Sequence, residues 1–171
     1  MVVLAWTVLG ALLLAPGAPS AGESPVGGEV PMAGGAPMAG PCRLRVASVE
    51  SRVSPQELET KDPARVLRHD LEGRLGRIDC RRERIDRSYD VLAEIADVES
   101  TNGRGKVTTS ITVKAIVRDG SGSLLAVVVG KAKGEDRSSA RAALEREVLE
   151  AASARASSSV PEAIRRARGT K

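Results

Sequence analysis

The sequence predicts an α+β two-layer sandwich: a four-stranded, mostly antiparallel sheet with two helices on one face, in the order β-α-β-β-β-α. Three observations carry this. Val107, Thr109, Ile111, Val113, Ala115 and Val117 form an unbroken period-two row, with Thr108, Ser110, Thr112, Lys114 and Arg118 opposite, the signature of a strand with one dry face. Leu67, Leu71, Leu75 and Ile78 recur at helical spacing. A second stripe, Ala140, Leu144, Val148, Ala151 and Ala152, runs along a segment studded with Arg and Glu.

The accessories come first. Met1 to Ala15 is apolar and uncharged, and small residues and helix breakers follow to Ala21, as in a secretory signal cut at about Ser20. A spanning helix needs roughly 20 apolar residues, so export outranks a transmembrane anchor. Residues 21–41, in which Pro-Met-Ala-Gly occurs twice, are rich in Gly and Pro and read as a flexible linker. Residues 42–168 are expected to form a single α+β domain and 169–171 a tail. The expected location is periplasmic or secreted.

The net charge of +4 is unaffected by loss of residues 1–20, which removes Trp6 and leaves Tyr89 as the one aromatic residue. A core without Phe or Trp is built from Val, Leu, Ile and Ala, and is thin. Cys42 and Cys80 offer a staple, since an exported cysteine pair favours a disulfide, worth roughly 4 kcal/mol in the chain-entropy model.

Leu44 and Val46, between Arg43 and Arg45, begin the first strand. Asp62-Pro63 supplies an N-cap and a proline at the first helical position. A strand of about eight residues and a helix of about sixteen both span roughly 25 Å, so a returning helix brings Cys80 back to Cys42. Tyr89, Val91, Ala93 and Ile95 begin the second strand, and Asn102-Gly103-Arg104-Gly105 is a turn into the third. Asp119-Gly120-Ser121-Gly122 is another turn. The fourth strand, Leu124 to Val129, is apolar on both faces, which fits a central strand or a covered edge. The final helical segment is expected to open at Gly134, to carry the Arg141–Glu145 pair on its exposed face, and to be interrupted by Ser157-Ser158-Ser159 before Pro161 restarts a turn and Ile164 docks.

This order, with "YDVLAEIADVES" entering the meander, "VKAIVRDGSGSLLAVVVG" as a hairpin and "ARAALEREVLEAA" as the closing helix, is similar to the periplasmic domains of the curli-secretion lipoprotein and of the lipoprotein activators of penicillin-binding proteins. The resemblance spans Cys42 to about Ala167 and implies a non-enzymatic domain that meets partners in the cell envelope. It carries over no functional residue. The lipid-bearing cysteine of those families has no counterpart, because Cys42 lies far downstream of the apolar run.

The inventory of chemistry is sparse. His69 is the single histidine, and Asp70 beside it points about 100° away on a helix, so the two do not form a base and its orienter. No serine lies in Gly-x-Ser-x-Gly. The pair Glu145 and Glu147, and Glu99 near the Asn102-Gly103 turn, lack any sign of burial. Asp119 to Gly122 lacks the spaced acids of a calcium loop, and neither Gly-x-Gly joins a strand to a helix. No catalytic residue, metal site or cofactor is therefore expected. Arg74, Arg77, Arg81, Arg82, Arg84 and Arg87 form a candidate anion-binding patch, diluted by Asp79, Glu83 and Asp86. Without aromatic stacking residues it does not point to nucleic acid. The expected function is that of an exported, non-catalytic bacterial envelope domain that binds or supports a partner protein. A binder of an acidic polymer or anionic surface through the arginines, and a hydrolase with an unfamiliar site, are the alternatives.

Overall fold

A computed structural model describes residues 42–169, so the expected signal segment and linker lie outside the described residues. Four strands, β1 (Leu44–Ser51), β2 (Tyr89–Gly103), β3 (Lys106–Asp119) and β4 (Leu124–Arg137), form one sheet in the order β1-β2-β3-β4. Helix α1 (Pro63–Leu75) follows β1, and a short 3-10 turn leads from β4 into helix α2 (Arg141–Gly169). β1 and β2 are parallel, as a helical crossover requires, and the other two pairs are antiparallel. The predicted class and element order hold.

The alternation in β3 does what its period dictates: Val107, Ile111, Val113, Ala115 and Val117 are fully buried beneath the helices. Tyr89, Val91, Ala93 and Ile95 join them from β2. Leu67, Leu71 and Leu75 arrive from α1, and Leu144, Val148, Ala152, Ala156, Val160 and Ile164 from α2. The β2–β3 turn places Arg104 (φ 50°) and Gly105 (φ 76°) both at positive φ, the two-residue geometry that matches the twist of a hairpin. Asp62 caps α1 by accepting from the Arg65 amide at 3.1 Å. The helix ends at Gly76, and the chain returns so that Cys42 and Cys80 are bonded, with their Cα atoms 6.0 Å apart.

Three expectations change. β4 continues through Gly134 to Arg137, paired with Lys106 to Thr109, where the start of a helix was expected. The apolar run gives way to Lys131, Lys133 and Glu135 only on the outward face, while Ala132 stays buried and Gly134 half-buried on the inner one. Second, α2 is unbroken across Ser157–Ser159 and Pro161. The three hydroxyls donate to the carbonyls of Ala154 and Arg155 at 3.0–3.1 Å and so do not compete for the helix's own amides. Pro161 costs a mid-helix bond, about 3 kcal/mol, but burial of Val160 and Ile164 at about 1.5–3 kcal/mol each offsets it.

The third change concerns Glu145, which is fully buried. One carboxylate oxygen accepts from the amides of Glu59 (2.7 Å) and Thr60 (2.9 Å), and the other from Arg141 Nε (2.8 Å). The Thr60 hydroxyl shares its proton between that carboxylate and the Ala142 carbonyl. Arg141 also donates to the Glu57 carbonyl at 2.9 Å. Glu145 thus fastens the β1–α1 loop, whose Leu58 is buried, onto the first turn of α2. The far end of α2 is held likewise: Arg168 binds Asp86 through both oxygens (2.5 and 2.6 Å), and Arg165 pairs with Glu83. The Arg168 guanidinium holds the Asp86 carboxyl below the usual carboxylate range, and burial raises the Tyr89 hydroxyl above the usual phenol value.

The close approach of α2 to the sheet sits at Gly130, where an added Cβ would lie 2.0 Å from the Ala152 carbonyl oxygen and 2.6 Å from the Ala156 nitrogen. Gly130→Ala should lower stability by about 2–3 kcal/mol or more in denaturant unfolding, while Gly103→Ala, whose Cβ would meet nothing within 4 Å, should be nearly neutral. Glu145→Ala strands the Glu59 and Thr60 amides and the Arg141 charge, and should cost about 3–5 kcal/mol. Increased proteolysis of the 52–61 loop is its expected companion.

Candidate functional site

β4 is an edge strand with its inner face covered and its outer face bare. Leu124, Val127 and Val129 are 63%, 52% and 55% exposed, in a domain whose other large aliphatic side chains are buried or half-buried. The register extends the patch inward: Val127 lies opposite Ile116, and Ile116 opposite Leu92, all on the outer face. Charged pairs border it. Glu94, itself buried, is held by Arg52 (2.9 Å) and Lys114 (3.4 Å), and Arg45 grips Asp90 at 3.0 Å.

The backbone of this edge is read from the two ends of β4. Asp119 N–H donates to Ser123 O, and Ser138 N–H donates to Gly105 O, so odd-numbered residues of β3 direct their polar groups toward β4. Val117 pairs with Ala126, and the register is unshifted from there to Arg137. Ala126, Val128, Gly130 and Ala132 therefore bond to β3, and Val127, Val129 and Lys131 turn their N–H and C=O groups to the free edge. The Lys131 carbonyl is taken by the Arg155 guanidinium from α2. Beside Ala126 to Val128 the edge opens instead into a groove, whose other wall is α2 at Ser159, Glu162 and Ala163. Glu162 is paired with Arg166 at the rim (2.5 Å).

The predicted anion-binding arginines are spread over the end of α1 and the loop after it. Arg74 is paired with Asp70 at 2.6 Å and Arg87 with Asp86 at 3.6 Å. Arg77, Arg81, Arg82 and Arg84 are exposed and have no carboxylate partner among the described residues. The acids that dilute the run in sequence are engaged elsewhere: Asp79 caps the Arg81 and Arg82 amides, and Glu83 and Asp86 serve α2.

His69 is exposed, and Asp70 faces Arg74 instead of it. Glu147 and Glu99 are exposed, apart from the buried Glu145. The Asp119 carboxylate accepts from the Ser121 and Ser123 amides at 2.9 and 3.0 Å, the bonds of a tight turn. What sequence reasoning missed is the length and exposure of β4: the double-sided apolar run was its signal, and the choice between covered and bare depended on where α2 would lie.

The sequence matches no protein-family model and no curated protein. The fold is similar to several solved bacterial structures. A minor lipoprotein from Acinetobacter baumannii is 12% identical, with a TM-score of 0.43 over 70% of this chain and 91% of that one. A protein from Chlamydia trachomatis is 12% identical, with a TM-score of 0.48 over 71% and 96%. The PelC dodecamer subunit from Paraburkholderia phytofirmans is 12% identical, with a TM-score of 0.38 over 64% and 82%. These likenesses are of backbone path and bear out no specific kinship with the curli-secretion or penicillin-binding-protein activator families.

Proposed function

We propose that this chain is an exported, non-catalytic domain of a bacterial envelope that binds a partner protein along β4. The observation that carries the reading is the grouping of Leu124, Val127 and Val129 on one bare edge, since contiguous exposed aliphatic surface is a mark of interaction sites. Export is supported by the signal-like start, and the Cys42–Cys80 bond suits an oxidising compartment. The non-catalytic part is supported by the uses of the acids: Glu145 holds a loop, Asp70 an arginine and Asp119 a turn.

A photo-crosslinking residue placed at Val127 in cells of the source bacterium should give a discrete adduct with one envelope protein, and one at the exposed Glu147 should give none. Absence of an adduct from any surface position would sink the partner reading. Turnover of a substrate from a broad hydrolase panel by the purified chain would sink the non-catalytic one.

A second reading is favoured by the arginines at 77, 81, 82 and 84, which the diversion of Glu83 and Asp86 to α2 leaves uncompensated. In it this loop binds an acidic polymer or anionic surface. Binding to dextran sulfate should then fall steeply between low and physiological salt and weaken several-fold in the Arg81→Ala, Arg82→Ala double variant. Salt-independent retention would remove this reading.

A further inference from the structure

We infer that the β4 edge from Leu124 to Val129 receives one extended segment of another protein as a fifth strand. Its β-branched side chains would face Val127 and Val129, its small side chains would face the α2 groove, and its acidic end would lie toward Lys131. This rests on the partner reading above and specifies the partner's chemistry.

The backbone defines the slot. Val127 and Val129 direct two N–H and two C=O groups outward, the ladder that an added strand requires. The slot ends at Lys131, whose carbonyl already accepts from Arg155. Side-chain alternation defines the occupant. Residues of an added strand alternate between the outer face, where they meet Val127 and Val129, and the inner face, where they meet the groove wall at Ser159 and Ala163. The first position suits valine or isoleucine, and the second suits alanine or serine. Beyond the slot Lys131 and Lys133 are exposed without a salt-bridge partner among the described residues, which complements carboxylates on the arriving chain.

The charge of the edge argues against a second copy of this chain. A copy would bring its own Lys131 and Lys133 to the edge, and its stretch from Leu124 to Lys133 holds no carboxylate to meet them. The opposite edge, β1, lies beneath α1, so a β4 arriving there would bring its α2 against that helix. A separate strand with an acidic end supplies the complement.

The test uses the isotope-labelled protein from Ala21 to Lys171, and a short synthetic peptide alternating valine and serine with two aspartates at one end. At saturation the Val127 and Val129 amides should exchange with solvent roughly tenfold more slowly, while Val128, already bonded to β3, should not change. Val127→Pro removes an outward N–H without touching the β3 ladder and should abolish the protection, and Val127→Thr should preserve it. A peptide with lysines for aspartates should bind more weakly at low salt. Protection at another site, undiminished binding by the folded Val127→Pro variant, or concentration-dependent dimerisation that protects these amides would overturn the inference. Envelope crosslinks from a photo-crosslinking residue at Val129 that persist in Val127→Pro would overturn it too while leaving the partner reading standing. Loss of crosslinks in that variant together with their retention in Val127→Thr would support both.

Discussion

The contact of α2 with β4 at Gly130 is the constraint from which most of this domain follows. A helix laid on a sheet normally rests on side chains, but here its backbone meets the strand's backbone, with Ala152 and Ala156 on one side and a glycine on the other. That approach lets small residues close a core whose one aromatic side chain among the described residues is Tyr89. It also fixes where the helix lies, across β3 and β4 with its closest approach at the last strand. The middle of the sheet is therefore covered jointly with α1, and the free edge is overhung.

An aliphatic core of this kind gains little from any single contact, and the connections are secured by other means. Cys42–Cys80 joins the start of β1 to the segment after α1, closing a loop of 38 residues that the chain-entropy model values at roughly 4 kcal/mol. Glu145 does for the β1–α1 loop what the disulfide does for the other end of α1. A buried carboxylate is costly to desolvate, and this one is tolerated because two amides and a guanidinium replace its water. The two ends of α2 are bound to loops flanking α1, so the helices are joined through polar anchors as well as through their stripes.

The parts of this arrangement that depend on local periodicity were legible in the sequence. The β3 row, the α1 stripe, the Asp62-Pro63 start and the meeting of Cys42 with Cys80 all follow from spacing and from the lengths of a strand and a helix. The misread parts depend on tertiary context. Ser157–Ser159 and Pro161 are breakers by propensity, yet Val160 and Ile164 continue the apolar stripe and outweigh them. Glu145 looks like one more acid on an amphipathic helix, and only the return of residues 59 and 60 to that helix buries it. Gly130 falls just past the expected fourth strand, and its purpose appears once the helix above it is placed. For the site, the sequence located the apolar hairpin and the arginine loop but could not say which β4 face lay bare.

Edge strands invite pairing, and natural sheets usually blunt them. β4 is blunted over half its length: Lys131 and Lys133 project outward, and Arg155 occupies the Lys131 carbonyl. From Leu124 to Val129 the strand carries no charge and leaves its outward backbone groups to solvent. A uniform need for solubility would have spread the protection along the whole edge. The division suits the strand addition proposed above, in which the lysines would set a limit to the register and the α2 wall at Ser159 and Ala163 would admit small side chains. Specificity in such a device resides less in affinity for any one side chain than in what the edge refuses to pair with.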